Sequence, residues 1–357
     1  MDRALSAPGK LFLSGEYAVL WGGTARVAAV GPRGSAYVRR RADREVHLAL
    51  EEGRIKGRAT PAGVNWGGEV PEGFRFAARA LDEALRAQAR EALGFELALS
   101  PSEHAEGGWK LGLGGSARAA VLASEAARFV LEERVDALKV ALLAHVGAQG
   151  SGSGADVAAC FAGGLIRYRR YETGGLADAS REGRLGAALT LAAPVEVARL
   201  PEPKLSLLYA FTGQAASTPL LVKEIEARVR GERRARFAAH SEEWGHLLEE
   251  GLLSGDIAAV TEACGELQVL LSSLGPVETE PMKRILALAR SYRSTGKLSG
   301  AGGGDGCVLF CPDVETRTGL GEALGARGFA VRLLELEPGL RGERLADSRL
   351  RSWLDAG

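Results

Sequence analysis

GLGGSARAA, residues 112–120, sets three glycines and a serine directly ahead of an alanine-rich run that predicts a long helix from Ala117 to about Arg134. The N–H groups at a helix N-terminus are unpaired and the dipole there favours negative charge. Glycines in front of such an end let an anion sit against the backbone. A phosphate loop is the functional reading of this stretch, and a glycine turn capped by Ser116 is the structural one. Two commoner phosphate signatures fit poorly. Neither PGKL (8–11) nor TGKL (295–298) has the upstream glycine and downstream Ser/Thr of a Walker A loop. Gly112, Gly114 and Ala117 satisfy the loose G-x-G-x-x-A dinucleotide fingerprint. However, GGWK (107–110) before them is a poor buried strand, and no parallel strand follows within one βαβ unit.

Around this loop the chain runs to 357 residues with 46% apolar content, more than one core usually serves, so two domains are expected. Lys+Arg and Asp+Glu are equal at 45 each, which argues against a nucleic-acid or acidic-membrane surface and leaves recognition to local charge. A small anionic ligand is compatible with that balance. The four cysteines, Cys160, Cys264, Cys307 and Cys311, have neither disulfide-framework nor zinc-ligand spacing, and the last two read as core. MDRALSAPGK lacks the apolar stretch of a signal peptide and no segment is apolar for the length of a membrane span, so a cytoplasmic protein is expected.

Residues 11–50 alternate apolar runs with glycine-containing turns, which predicts a set of short strands. Helical patterns follow at 74–93 and 135–148, with the strand candidate FELALS (95–100) between them and before the glycine loop. ADVAACFAGGLIRYRR (155–170) reads as a short helix into a strand. Pro201 and Pro203 flank a fresh start, and the domain boundary is placed near residue 200. Beyond it come a strand, helices near 218–230, 234–253, 256–274 and 279–293, the strand GCVLF (306–310), a helix near 314–327 and FAVRLLELE (329–337). This predicts an α+β layer with antiparallel strands. No internal repeat is evident, and the tail after Gly339 shows no pattern.

Two further glycine-rich stretches, APGKLFLSGEYAVLWGG (7–23) and KLSGAGGGDG (297–306), flank the loop at 112–117. In order and in spacing, along almost the whole chain, the three resemble the three motifs of the GHMP kinase superfamily. Within it, GSGADVAACFAGGLIRY (152–168) and FTGQAASTPLLV (211–222) look most like the branch that phosphorylates phosphomevalonate. The resemblance implies a ribosomal S5 domain 2-like N-terminal domain over 1–200 carrying the phosphate loop, and a ferredoxin-like C-terminal domain over 201–357. ATP and Mg2+ are expected in the cleft between them.

By the same resemblance Gly112, Leu113, Gly114, Gly115, Ser116 and Ala117 form the nucleotide's phosphate loop, with Ser116 the hydroxyl ligand of Mg2+. Gly115 stands where the family more often has a first serine. Arg118 replaces a small residue, and either points into the cleft or lies solvated on the helix surface. Lys10 is expected to supply positive charge to the transferred group, since phosphoryl transfer asks mainly for positioning and charge. Asp156 matches the family's aspartate, as base or as partner of the lysine, and is equally an N-cap ahead of an apolar helical run. The acceptor site is expected to draw on Lys110, Ser153, Ser217, Thr218, Gly302 and Gly303. Ser217 and Thr218 fit a helix cap before Pro219 as well. Asp305 reads as a turn residue. His145, His240 and His246 lack a metal-ligand motif and receive no role. Mevalonate kinase, the related diphosphate decarboxylase and a catalytically silent metabolite sensor are the competing readings.

Overall fold

The computed structural model describes residues 2–88, 93–101, 111–132, 135–214, 218–344 and 348–355. Its first half is built on a large sheet. β1 (Asp2–Ser14) and β2 (Thr24–Arg40) form a long antiparallel pair, followed by β3 (Glu45–Leu50), β4 (Gly53–Thr60), β5 (Gly63–Trp66) and β6 (Phe95–Ser100). β7 (Leu165–Arg169) and β8 (Val197–Leu200) extend it beside β2. Of the short strands expected over 11–50, REVHLAL is β3, whereas ARVAAV and SAYVRR are joined in one long strand, β2, and KLFLS is the end of the long β1. Irregularities between Ala7 and Gly9 and between Phe12 and Ser14 bend β1 without ending it. YAVLW is not a strand; Tyr17, at φ 60, turns the chain into a 3-10 turn over Ala18–Trp21.

Helices α1 (Arg75–Ala87), α2 (Gly115–Val130), α3 (Ala137–Gln149) and α4 (Ala155–Ala162) pack on this sheet, with α5 (Gly174–Arg181) and α6 (Leu185–Leu191) outside them. α2 is the central one. Twelve of its 16 residues are buried, and its alanines let α1, α3, α4 and the sheet approach it closely. It begins at Gly115 and stops at Val130, two residues earlier and four residues shorter at its end than the sequence predicts.

The second half is a four-stranded antiparallel sheet in the order β10 (Thr295–Ser299), β11 (Gly306–Cys311), β9 (Ser206–Phe211), β12 (Ala330–Leu334). Between β9 and β10 run α7 (Thr218–Arg228), α8 (Glu232–Ser254), α9 (Ile257–Ser272) and α10 (Glu280–Ser291), and α11 (Val314–Gly325) precedes β12. This sheet is buried on both faces, as its nearly unbroken apolar strands require. Leu208, Ala210, Cys307, Leu309 and Cys311 face α7, α10 and α11. Leu207, Tyr209, Phe211, Val308 and Phe310 face α8, α9 and, from the first half, Leu11, Leu13, Leu111 and Leu113. The core on this second face therefore holds the two halves together, each buried large side chain contributing about 1.5–3 kcal/mol.

Buried polar links cross the same junction. Lys297 and Glu16, both almost inaccessible, pair at 2.5 Å. Arg26 of β2 pairs with Glu249 of α8 at 2.9 Å and with Glu242 at 3.2 Å. The tail beyond Gly339 returns to the first sheet: β13 (Arg341–Glu343) pairs with β1, and α12 (Ser348–Asp355) lays Leu350 and Leu354 over Ala4, Tyr37 and Ala98.

Candidate active site

A cleft of about 470 Å³ opens at the junction, walled by β1, the 112–118 loop, the starts of α1 and α4, the end of α3 and the 300–305 loop. Its floor is set by contact between β1 and the loop. The Lys10 amide donates to the Leu113 carbonyl at 3.0 Å and Lys10 Nζ donates to the Gly112 carbonyl at 3.1 Å. Gly9 makes this approach possible, because a Cβ there would lie 2.7 Å from the Leu113 oxygen. Leu111 and Leu113 turn their side chains into the core between the halves, and Ala117 is also buried, so these positions offer only backbone to the cleft.

α2 and α4 both point their N-termini at this space. In each the cap is a left-handed glycine, Gly114 at φ 90 and Gly154 at φ 77, which excludes the alternative reading of Ser116 and Asp156 as N-caps. The glycines turn the chain into the helix without a side chain, and Ser116 and Asp156 each sit at the second residue of their helix, facing the cleft. Asp156 Oδ1 accepts from the Val157 amide at 2.9 Å. Ser153 also lines the cleft, and its hydroxyl accepts from the Ala155 amide at 3.2 Å.

The third glycine stretch contributes differently from expectation. Gly300, Ala301 and Asp305 line the cleft, whereas Gly302 packs against Val277 and Gly303 against Leu221, away from it. The Ala301 carbonyl accepts from Tyr17 Oη at 2.7 Å, tying this loop to the N-terminal motif. Asp305, at φ 53, stitches its backbone to Thr212 and Gln214 as a turn residue does. Its carboxyl also reaches the phosphate loop, for a Cβ on Gly112 would fall 2.8 Å from Asp305 Cγ. Lys110 and Ser217 lie outside the described residues, as does the side chain of Thr218.

Of the two readings of Arg118, the solvated one is excluded. Its side chain is 3% exposed, lines the cleft and donates to the Pro32 carbonyl. Sequence reasoning missed His145. It is buried between α2 and α4, with Nε2 3.2 Å from Ser116 Oγ and 3.6 Å from Asp156 Oδ2. Burial holds its pKa below the ordinary histidine value; Asp156 opposes that shift, and Lys10 and Arg75 add to it. Its signal in sequence is a single polar ring on the core-facing stripe of ALLAHV. His240 and His246 are exposed on α8 and far from this chemistry in role.

The arrangement suits a polyanion held with a hard divalent cation. Two left-handed glycines shape a cradle at a helix N-terminus, Lys10 and Arg118 supply positive charge, and Ser116 and Asp156 are oxygen donors of the kind Mg2+ takes. Among the described residues no group of three or more His, Cys, Asp or Glu forms a metal cage, and Mg2+ bound through phosphates needs none. No described helix is long and apolar enough to cross a membrane.

Residues 248–329 match the family described as GHMP kinases C terminal. The chain is 32% identical over 341 residues to a phosphomevalonate kinase from Streptomyces sp. (strain CL190), covering 87% of this chain and 89% of that one. In structure it is similar to the Lin0012 protein of Listeria innocua, with a TM-score of 0.84 at 23% identity over 97% of this chain and all of the other. It is also similar to Streptococcus pneumoniae phosphomevalonate kinase in complex with phosphomevalonate and AMPPNP, with a TM-score of 0.78 at 20% identity over 94% of this chain and 99% of that one. Those two likenesses carry the fold, and the Streptomyces relative, matched along most of both chains, carries the kinship: the chain belongs to the GHMP kinase superfamily, as an α+β small-molecule kinase.

Proposed function

We propose that this kinase transfers the γ-phosphoryl group of ATP to 5-phosphomevalonate, giving 5-diphosphomevalonate. The observation that carries the reading is the convergence of Lys10, Ser116 and Asp156, from three separate elements, on one cleft at the N-terminus of α2. The Streptomyces relative, named a phosphomevalonate kinase, supports the choice of acceptor. A silent metabolite sensor has no need of a phosphoryl-transfer constellation.

In this reading the amides at the start of α2 and the 112–117 loop hold the nucleotide's phosphates. Ser116 would hold Mg2+ together with those phosphates, and the metal would supply positive charge to the transferred group. Lys10 adds positive charge from β1, directly beside the loop, aimed by its bond to the Gly112 carbonyl. The acceptor is a phosphate monoester whose second pKa of about 6 leaves it mostly ionised at neutral pH. Asp156 therefore has little proton to remove, and its task is to orient Lys10 and the metal. Lys110, Ser153, Ser217 and Thr218 are proposed to read the phosphate the acceptor already carries, with Ser153 nearest the start of α4.

The test is purified protein with Mg·ATP and, in separate reactions, mevalonate, phosphomevalonate and diphosphomevalonate, with products identified by mass. Turnover of phosphomevalonate alone is expected. Turnover of mevalonate without its phosphate overturns the acceptor and spares the fold.

A further inference from the structure

His145 is a buried histidine to which the roles above give no work. It lies on α3 among Ala141, Leu142 and Ala144, and is 2% exposed. A polar ring in such a place costs free energy unless its nitrogens are used. One of them is. Nε2 stands 3.2 Å from Ser116 Oγ on α2 and 3.6 Å from Asp156 Oδ2 on α4. Nδ1, on the other side of the ring, meets no partner among the described residues. Phe76 of α1 stacks on the imidazole with centroids 5.1 Å apart and planes 27° from parallel, and the Arg75 guanidinium lies over Phe76 at 4.6 Å. The ring is thus held in orientation by packing, independently of the groups it touches.

The partners around the ring indicate which nitrogen carries the hydrogen-bonding N–H. A buried N–H aimed at no acceptor is rarer and costlier than a buried lone pair aimed at no donor. The geometry therefore points to an N–H on Nε2, facing Ser116 and Asp156. Asp156 Oδ1 is already occupied by the Val157 amide at 2.9 Å, and the other carboxylate oxygen, Oδ2, is the one that faces His145. Ser116 and Asp156 belong to different helices; His145 hydrogen-bonds the first at 3.2 Å and stands 3.6 Å from the second, an electrostatic contact longer than a hydrogen bond.

We propose that His145 is a positioning residue: its Nε2–H holds the Ser116 hydroxyl and the Asp156 carboxylate in fixed mutual placement, so that two helix starts act as one constellation. This rests on the reading of the cleft as a Mg·nucleotide site, and goes beyond it in naming what aligns the oxygen donors.

Two variants of the full chain separate alignment from packing. His145→Phe keeps a ring against Phe76 and removes both nitrogens. His145→Gln places an amide nitrogen near the position of Nε2. For His145→Phe the expected result is a kcat lower by about 10- to 100-fold and Mg·ADP binding weaker by about tenfold in calorimetry, as is usual when the partner behind a ligand or catalytic group is lost. KM for phosphomevalonate should stay within about twofold, because the acceptor is read elsewhere. His145→Gln should recover most of both losses. Equal losses in the two variants, or none in either, overturn the proposal.

A second measurement needs neither variant to fold well. Side-chain 15N spectra of the wild-type chain, which has five histidines, report the tautomer of His145 directly. A proton on Nε2 is the expected result, and a proton on Nδ1 overturns the proposal. Because this is read without nucleotide, it is distinct from failure of the cleft reading, which would appear as no Mg·ADP binding by the wild-type protein.

Discussion

Replacing Lys10 with alanine should damage catalysis far more than folding, and the structure gives both sides of that comparison. The backbone of residue 10 keeps its place whatever its side chain, because its amide bonds the Leu113 carbonyl and its register opposite Ala29 lies inside the long β1–β2 pair. What disappears is the bond from Nζ to the Gly112 carbonyl at 3.1 Å and a cation resting 5.7 Å from the Phe12 ring centroid. Those are worth about 0.5–1.5 kcal/mol and about 0.5–1 kcal/mol, partly offset by the rotamer entropy a lysine regains on release. Against this, loss of one preorganised donor to a developing oxyanion costs about 2.7–4 kcal/mol of barrier, or about 10²–10³ in kcat. The expected result is a melting temperature lower by a few degrees at most and a kcat lower by at least about a hundredfold, with both KM values little changed. Lys10→Arg should not rescue fully, since a planar guanidinium fork replaces a compact ammonium that donates to the Gly112 carbonyl at 3.1 Å. Saturation curves for each substrate and a thermal melt decide the matter. Wild-type turnover in Lys10→Ala would refute the reasoning and leave residues 8–10 a purely structural device for seating the loop.

Ser116→Ala should raise the Mg2+ concentration needed for half-maximal rate by about tenfold, by loss of one oxygen ligand; an unchanged Mg2+ titration moves the metal ligand elsewhere. Lys297→Met should destabilise by about 3–5 kcal/mol, because it leaves Glu16 buried without its partner. Adding Glu16→Gln to that variant should restore part of the loss in a denaturant titration, and a double variant worse than the single one argues against the pairing. Asp82 on α1 is pushed up to about 6 by burial, which outweighs its bond from the Val64 amide and the nearby Arg86 and Arg79. Between about pH 4 and 6 the unfolded chain therefore binds fewer protons than the folded one, so stability falls as pH rises through that window and stays reduced above it. Asp82→Asn, which keeps the acceptor for Val64, should stabilise by about 1–2 kcal/mol at pH 7.5 and by almost nothing below pH 4. A gain that persists at pH 3.5 would show that something other than ionisation is responsible.

What the sequence made legible was local in sequence. The 112–117 loop, the lysine after Gly9 and the aspartate after Gly154 each sit in runs whose glycines mark them, and their family spacing brings them together without a structure. The long helices of the second half also announce themselves by period, to within a few residues at their ends. What escaped depends on partners distant along the chain. His145 is remarkable only for Ser116, 29 residues before it, and Asp156, 11 after; in its own helix it looks like a tolerated core polar. The capping alternatives failed for a related reason. A serine or aspartate near a helix start is indistinguishable by composition from an N-cap, and only the positive φ of the glycine two residues earlier places it at the second helical position. β13 spans three residues with no alternation to read, and becomes a strand because β1 offers it an edge.

The geometry of the phosphate loop bears on how such a site can be both rigid and responsive. Leu111 and Leu113 anchor the loop in the core between the two sheets, Tyr209 Oη donates to the Leu111 carbonyl at 2.9 Å, and Lys10 binds the next two carbonyls. A loop held by side chains on one face and by hydrogen bonds from both halves has no slack to reshape around a ligand. Its amides are preorganised, and the ordering cost falls on folding rather than on the reaction. At the rim, the partly exposed Arg75 pairs with Glu72 at 2.8 Å and lies over the Phe76 ring. The consequence is a coupling that passes through packing: because Tyr209 belongs to β9 of the second sheet, the placement of the loop is set jointly by the two halves. A change in how the sheets pack then moves the 111–113 backbone even though no altered residue lies in the loop itself.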